Sequence, residues 1–180
     1  MKNDRLKREA DELLRGYRLL EMLEDYGEVH VIGSYRMGLM TWRDVDVYVE
    51  NQGVRMTDIY GLMARIFDVL EPKWFEGKEV VEEEHHHYFV GFETEITGER
   101  WNVDIWFFHG GIIREAIEYC DRIVRAVREE PRLGDEIMGI KQALMETGEY
   151  GIGFTSVDVY RAVIENGVNG IEEFYAQMGC

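Results

Sequence analysis

The chain has 180 residues, only two of them cysteine, and a formal net charge of −16 at pH 7. That length favours one domain, or one domain with a small appendage, and lets about 70% of the unfolded surface be buried without covalent staples. Two cysteines imply no disulfide framework, the excess of acids leaves no basic stripe for nucleic acid, and no apolar run approaches the ~20 residues that span a bilayer. The charged, helical start MKNDRLKREADELL does not read as a secretory signal, so the cytoplasm is the expected location.

In chain order, Leu6, Ala10, Leu13, Leu14, Tyr17, Leu20 and Leu23 recur at helical spacing and predict a first helix that Gly27 ends. Strands are predicted at about 29–32 and 44–50. Between and across them runs VIGSYRMGLMTWRDVDVYV: an apolar strand, a Gly-Ser turn, a short helical segment, then a strand carrying two aspartates. Thr57 is the expected N-cap of a helix with Ile59, Leu62, Met63, Ile66, Phe67 and Leu70 on its apolar face, stopped by Pro72. Segments 74–83 and 85–93 read as extended, and Thr97-Gly98 as a loop leading to a strand at 101–108. From Ile112 onward helices are expected at about 112–129, 132–147, 156–166 and 170–178, with Ser156 and Asn169 capping the last two. The fold class is therefore α+β: a small mixed β-sheet with flanking helices, followed by a helical C-terminal region. The division is expected near Gly110-Gly111, giving a core over 1–110 and a helical region over 111–180.

Asp44 and Asp46 are two residues apart, so an extended backbone points both to one face while Val45, Val47 and Val49 point to the other. The later strand WNVDIWFF sets Asp104 in the same kind of alternation. Carboxylates held about 5–7 Å apart repel by ~2–3 kcal/mol per pair at an effective dielectric near 20. A hard divalent cation removes that repulsion, and oxygen donors are what magnesium prefers, manganese being the close substitute. The Gly33-Ser34 turn offers free backbone N–H groups suited to phosphate oxygens. Arg36, two residues past the serine, is a candidate partner for a triphosphate. Arg43 precedes the acid pair and points away from it, which assigns it to structure.

Gly33-Ser34, nine further residues, then Asp44-Val45-Asp46 resembles the signature of the nucleotidyltransferase superfamily typified by DNA polymerase β. The resemblance covers roughly residues 28–109. It implies that Gly33 and Ser34 contact the triphosphate, that Asp44 and Asp46 hold metal, and that Asp104 is the third carboxylate and assists removal of the acceptor's proton. The implied activity is magnesium-dependent transfer of a nucleoside monophosphate from an NTP, ATP among the candidates, to an acceptor hydroxyl with release of pyrophosphate. The acid excess makes nucleic acid an unlikely acceptor and favours a small molecule or a protein hydroxyl. A reading from another class is a catalytically silent relative that binds nucleotide or a protein partner, as antitoxin-like members of such families do.

Consecutive His85, His86 and His87 invite a zinc reading, yet alternation lets at most His85 and His87 share one ion. The expectation is one packed histidine and two partly exposed ones, with the narrower possibility that one ring reaches Asp104 across the hairpin. Gly91 on that strand is expected to leave room beside the carboxylates. Glu82–Glu84 is expected to be a solvated loop, Cys120 a small buried hydrophobe, and Tyr48, Trp101 and Trp106 core or rim aromatics.

Overall fold

The computed structural model describes residues 2–82 and 85–179, so Glu83 and Glu84 of the acid run lie outside the described residues. The first unit begins with α1 (Lys2–Asp11), one π-helical turn (Glu12–Gly16) and α2 (Leu19–Glu24). It continues through β1 (Glu28–Val31), α3 (Gly33–Met37), β2 (Asp44–Glu50), α4 (Met56–Leu70), β3 (Trp74–Glu82), β4 (His85–Ile96) and β5 (Glu99–Phe108). Then come α5 (Gly110–Glu129), α6 (Arg132–Thr147), α7 (Ser156–Asn166) and α8 (Gly170–Met178). By contact density the chain falls into two compact units, Met1–Glu118 and Tyr119–Cys180, the break lying inside α5.

The single first helix expected from periodicity is broken. Tyr17 donates to the Glu12 carbonyl at 3.0 Å, and Arg18 takes a left-handed φ of +60° before α2 starts. The physical reason lies in the apolar spacing. Leu19 is nine residues after Ala10, two and a half helical turns, so an unbroken helix would point the two in opposite directions. The wide turn and the left-handed residue bring Ala10, Leu13, Leu14, Leu19 and Leu23 all to zero exposure. The helix expected to be capped by Thr57 starts two residues earlier, with Arg55 in the cap position and its N–H donated to Asp58 Oδ2 at 2.9 Å.

The five strands form one mixed sheet in the order β1-β2-β5-β4-β3, with β2 and β5 parallel and the other pairs antiparallel. Its core face carries Val45, Val47 and Val49 of β2, Val103, Ile105 and Phe107 of β5, and Val90 and Phe92 of β4. Against them pack the leucines of the N-terminal helices and Ile59, Leu62, Met63 and Ile66 of α4. Alternation with period two then obliges the intervening residues, including every aspartate of interest, to take the other face.

In the second unit Ile137, Ile140 and Leu144 of α6 are buried, as are Val159, Ala162 and Val163 of α7 and Phe174 of α8. Thr155, not Ser156, occupies the N-cap of α7. Its hydroxyl accepts from the Asp158 N–H at 3.4 Å and its own N–H donates to Asp158 Oδ2 at 2.8 Å, the reciprocal pair of a capping box. Asn169 precedes α8 without a side-chain cap, and its backbone N–H donates to Glu173 instead. Lys141 is a fully buried cation of this unit, 3.4 Å from the Tyr160 hydroxyl. Among the described residues, no helix is long and apolar enough to cross a membrane.

Candidate active site

Parallel pairing of β2 with β5 sets Asp46 directly opposite Asp104 and Asp44 opposite Asn102. All four are partly exposed on the face away from the core, in strict alternation with buried valines and isoleucine. The Gly33-Ser34 turn is stitched to the same place by the Ile32 N–H, which donates to the Asp46 carbonyl at 2.9 Å. Gly33 has a φ of +63°, and a Cβ there would collide with Asp46 Oδ2. Glycine is thus required twice, by backbone conformation and by the carboxylate lying against its Cα. Ser34 is buried at the start of α3, and Arg36 is exposed on the same helix.

Gly91 on β4 faces Asp104 from the other side, where a Cβ would sit 3.4 Å from Asp104 Oδ1 and 2.7 Å from the Phe89 ring. The histidines do not occupy that position. His87 lies four residues along β4, packed edge-on to Phe108 at 4.9 Å, and His86 is exposed beside Glu79 at 2.6 Å. The His85 side chain lies outside what the structure describes. Arg43 turns away from the acids to Glu9 at 2.9 Å and Glu99 at 3.1 Å, tying α1 to β5.

Two neighbours of the acids had no part in the sequence reading. Asn102 donates its side-chain N–H to Asp44 Oδ1 at 2.7 Å and also hydrogen-bonds Asp104. The signal for it was available: Asn102 and Asp104 alternate as Asp44 and Asp46 do. Lys78 of β3 lies over the Phe89 ring at 4.9 Å and attracts Asp104. Burial pushes the Asp104 carboxyl above the ordinary aspartate range, with Glu76 adding to the rise and Asn102 and Lys78 working against it. Beyond the acids the same face is aromatic: Trp106 stacks on Phe108 at 5.2 Å, and Tyr48 meets Phe108 at 4.9 Å, whereas Trp101 is fully buried in the core.

The donor set fits a hard divalent cation: three carboxylates on adjacent strands, one of them partly desolvated, with oxygen the only donor type among them. The three aspartates share the face but do not form the tightest trio. Among the described residues, the three ligand-type side chains whose donor atoms all lie within 4.8 Å of one another are Glu28, His30 and Glu50, at the β1–β2 edge.

No protein-family model matches the sequence. No curated protein matches it either. Solved structures do. A cytoplasmic RNA terminal U-transferase is similar over 89% of this chain and 48% of its own, at 19% identity and a TM-score of 0.62. The Cid1 poly(U) polymerase with magnesium and 3′-dATP bound covers 79% of this chain and 42% of its own, at 19% identity and 0.55. The polymerase core of TRAMP, an RNA surveillance complex, covers 89% and 51%, at 15% identity and 0.54. The fold is that of the DNA polymerase β-like nucleotidyltransferases. Against these nucleotidyltransferase-fold neighbours the chain spans about half the length of the proteins it matches.

Proposed function

We propose that the protein is a magnesium-dependent nucleotidyltransferase, moving a nucleoside monophosphate from an NTP to an acceptor hydroxyl with release of pyrophosphate. The observation that carries this reading is the register of Asp46 against Asp104, with Gly33 pressed on the Asp46 carboxylate. Asp44, Asp46 and Asp104 would hold magnesium, or manganese in its place, and Gly33, Ser34 and Arg36 would contact the triphosphate. Bound metal would neutralise the carboxylates and polarise the phosphate being attacked. Asn102 fixes Asp44, so that carboxylate is oriented before any substrate arrives. Asp104, raised in proton affinity by burial, is suited to take the acceptor's proton. Lys78, across β4 from it, would balance negative charge at the far rim.

The acceptor divides into two readings. The net charge of −16 favours a small molecule or a protein hydroxyl, because an RNA-binding surface normally carries a basic stripe. The similarity to an RNA terminal U-transferase and a poly(U) polymerase favours an RNA terminus. Incubation with each of the four α-labelled NTPs, magnesium and an RNA oligonucleotide, a small-molecule panel or a protein extract separates them by where the label goes. Asp46→Asn and Asp104→Asn should each lower labelling by about a thousandfold or more, since positioning and charge stabilisation supply nearly all of this catalysis. Equal labelling by wild type and Asp46→Asn would refute the assigned role. Magnesium-dependent stabilisation by NTP without pyrophosphate release under any acceptor would leave the silent, nucleotide-binding reading instead.

A further inference from the structure

Glu28, His30 and Glu50 stand apart from the aspartates, on the free edge of the sheet. In the antiparallel β1–β2 pair Glu28 lies directly opposite Glu50, and His30 opposite Tyr48. Two carboxylates placed opposite each other on neighbouring strands repel, an arrangement that destabilises a sheet unless something positive lies between them. The imidazole supplies a second observation. His30 Nε2 is enclosed, with no solvent exposure, and makes no hydrogen bond among the described residues. A buried imidazole nitrogen without a partner is costly. Glu28 Oε1 is 3.5 Å from it, too far for a good hydrogen bond. Two donors bound to one tetrahedral ion at about 2.0–2.1 Å stand roughly 3.3 Å apart, close to that separation.

The third donor is held in place by a missing side chain. Gly110, at the start of α5, is buried, and a Cβ there would collide with Glu50 Oε1. A side chain at this position would push the carboxylate away from where it now lies beside the histidine. Glu28 is largely exposed, so an ion has a route in from solvent.

We propose that Glu28, His30 and Glu50 bind a divalent transition-metal ion of the zinc class, at a site separate from the three aspartates. One imidazole nitrogen and two carboxylate oxygens, with water completing the shell, is a donor set that selects such an ion over magnesium. The bound ion clasps β1 to β2 immediately ahead of the Gly33-Ser34 turn, and so stiffens the strand that delivers the turn to Asp46.

The test uses the full-length chain, stripped with a chelator and dialysed against micromolar zinc chloride in millimolar magnesium chloride, with bound zinc measured by elemental analysis. Wild type and Asp46→Asn should each retain one equivalent of zinc. His30→Gln and Glu50→Gln should bind it at least ~10-fold more weakly. Zinc should also raise the melting temperature of wild type but not of the two edge variants. Glu50 is exposed, so its variant serves if His30→Gln does not fold. Equal zinc in wild type and Glu50→Gln, zinc lost with Asp46→Asn, or no zinc retained against magnesium would each overturn the site.

Discussion

Asp104 shows what the candidate site costs the fold. Its carboxyl is raised by burial, so the folded state binds its proton more tightly than the unfolded state does. The sign follows: stability falls as pH rises from the ordinary aspartate range through the raised value, and the penalty is fully present above it. Asp104→Asn removes the charge and should raise the melting temperature of the metal-free protein at neutral pH, while abolishing activity. The gain should shrink as the pH is lowered toward the acid range, a trend that melting curves across pH would reveal. Magnesium should narrow the same gap by stabilising wild type alone. Gly33 is the second sensitive point. Gly33→Ala must hold a left-handed backbone at about 1–2 kcal/mol and also displace Asp46. Urea titration should show a loss of that size or more, and magnesium-dependent nucleotide binding should fall with it.

At the scale of elements, two devices set the geometry. The parallel β2–β5 pair brings residues 58 apart in sequence to face each other, Asp46 to Asp104, and any slip by one residue would send an aspartate into the valine core. The capping box on α7 is local by contrast. Asp158 is held below the ordinary aspartate range by hydrogen bonds from the Thr155 hydroxyl and backbone N–H. A depressed carboxyl contributes stability above the unfolded value and loses it as pH falls through the folded one. Asp158→Ala should therefore destabilise the protein by about 1 kcal/mol at neutral pH and by progressively less in acid, read from chemical denaturation at several pH values.

For the whole molecule, the net charge of −16 repels an incoming triphosphate. Screening shortens the reach of that repulsion from about 30 Å at 0.01 M salt to about 8 Å at 0.15 M. With the proposed activity, the KM for a magnesium–NTP complex should fall as salt rises over that range, with kcat little changed. An RNA acceptor would report the reverse if it used a basic contact surface, because its binding weakens with salt. Steady-state kinetics with the two substrates varied separately would distinguish them.

Much of the arrangement was legible in the chain. Alternation of valine with aspartate at 44–49 and 103–105 put the acids on the wet face, and Gly33-Ser34 marked the turn, because period and turn chemistry are local properties that a strand carries wherever it goes. The helix break at Tyr17-Arg18 was not legible: each half is regular by itself, and only burial against a common sheet exposes the half-turn mismatch between Ala10 and Leu19. Alternation with Asp104 marked the face that Asn102 takes, but its amide meets Asp44 only because two distant strands pair in parallel. The Glu28, His30 and Glu50 trio likewise comes from antiparallel register and the absent side chain of Gly110. The sequence by itself determined which faces are apolar, where the turns fall and which residues can bear charge. Tertiary structure alone decided which of those charges meet, since the pairing of strands far apart in the chain is set by the core they bury together and not by any one of them.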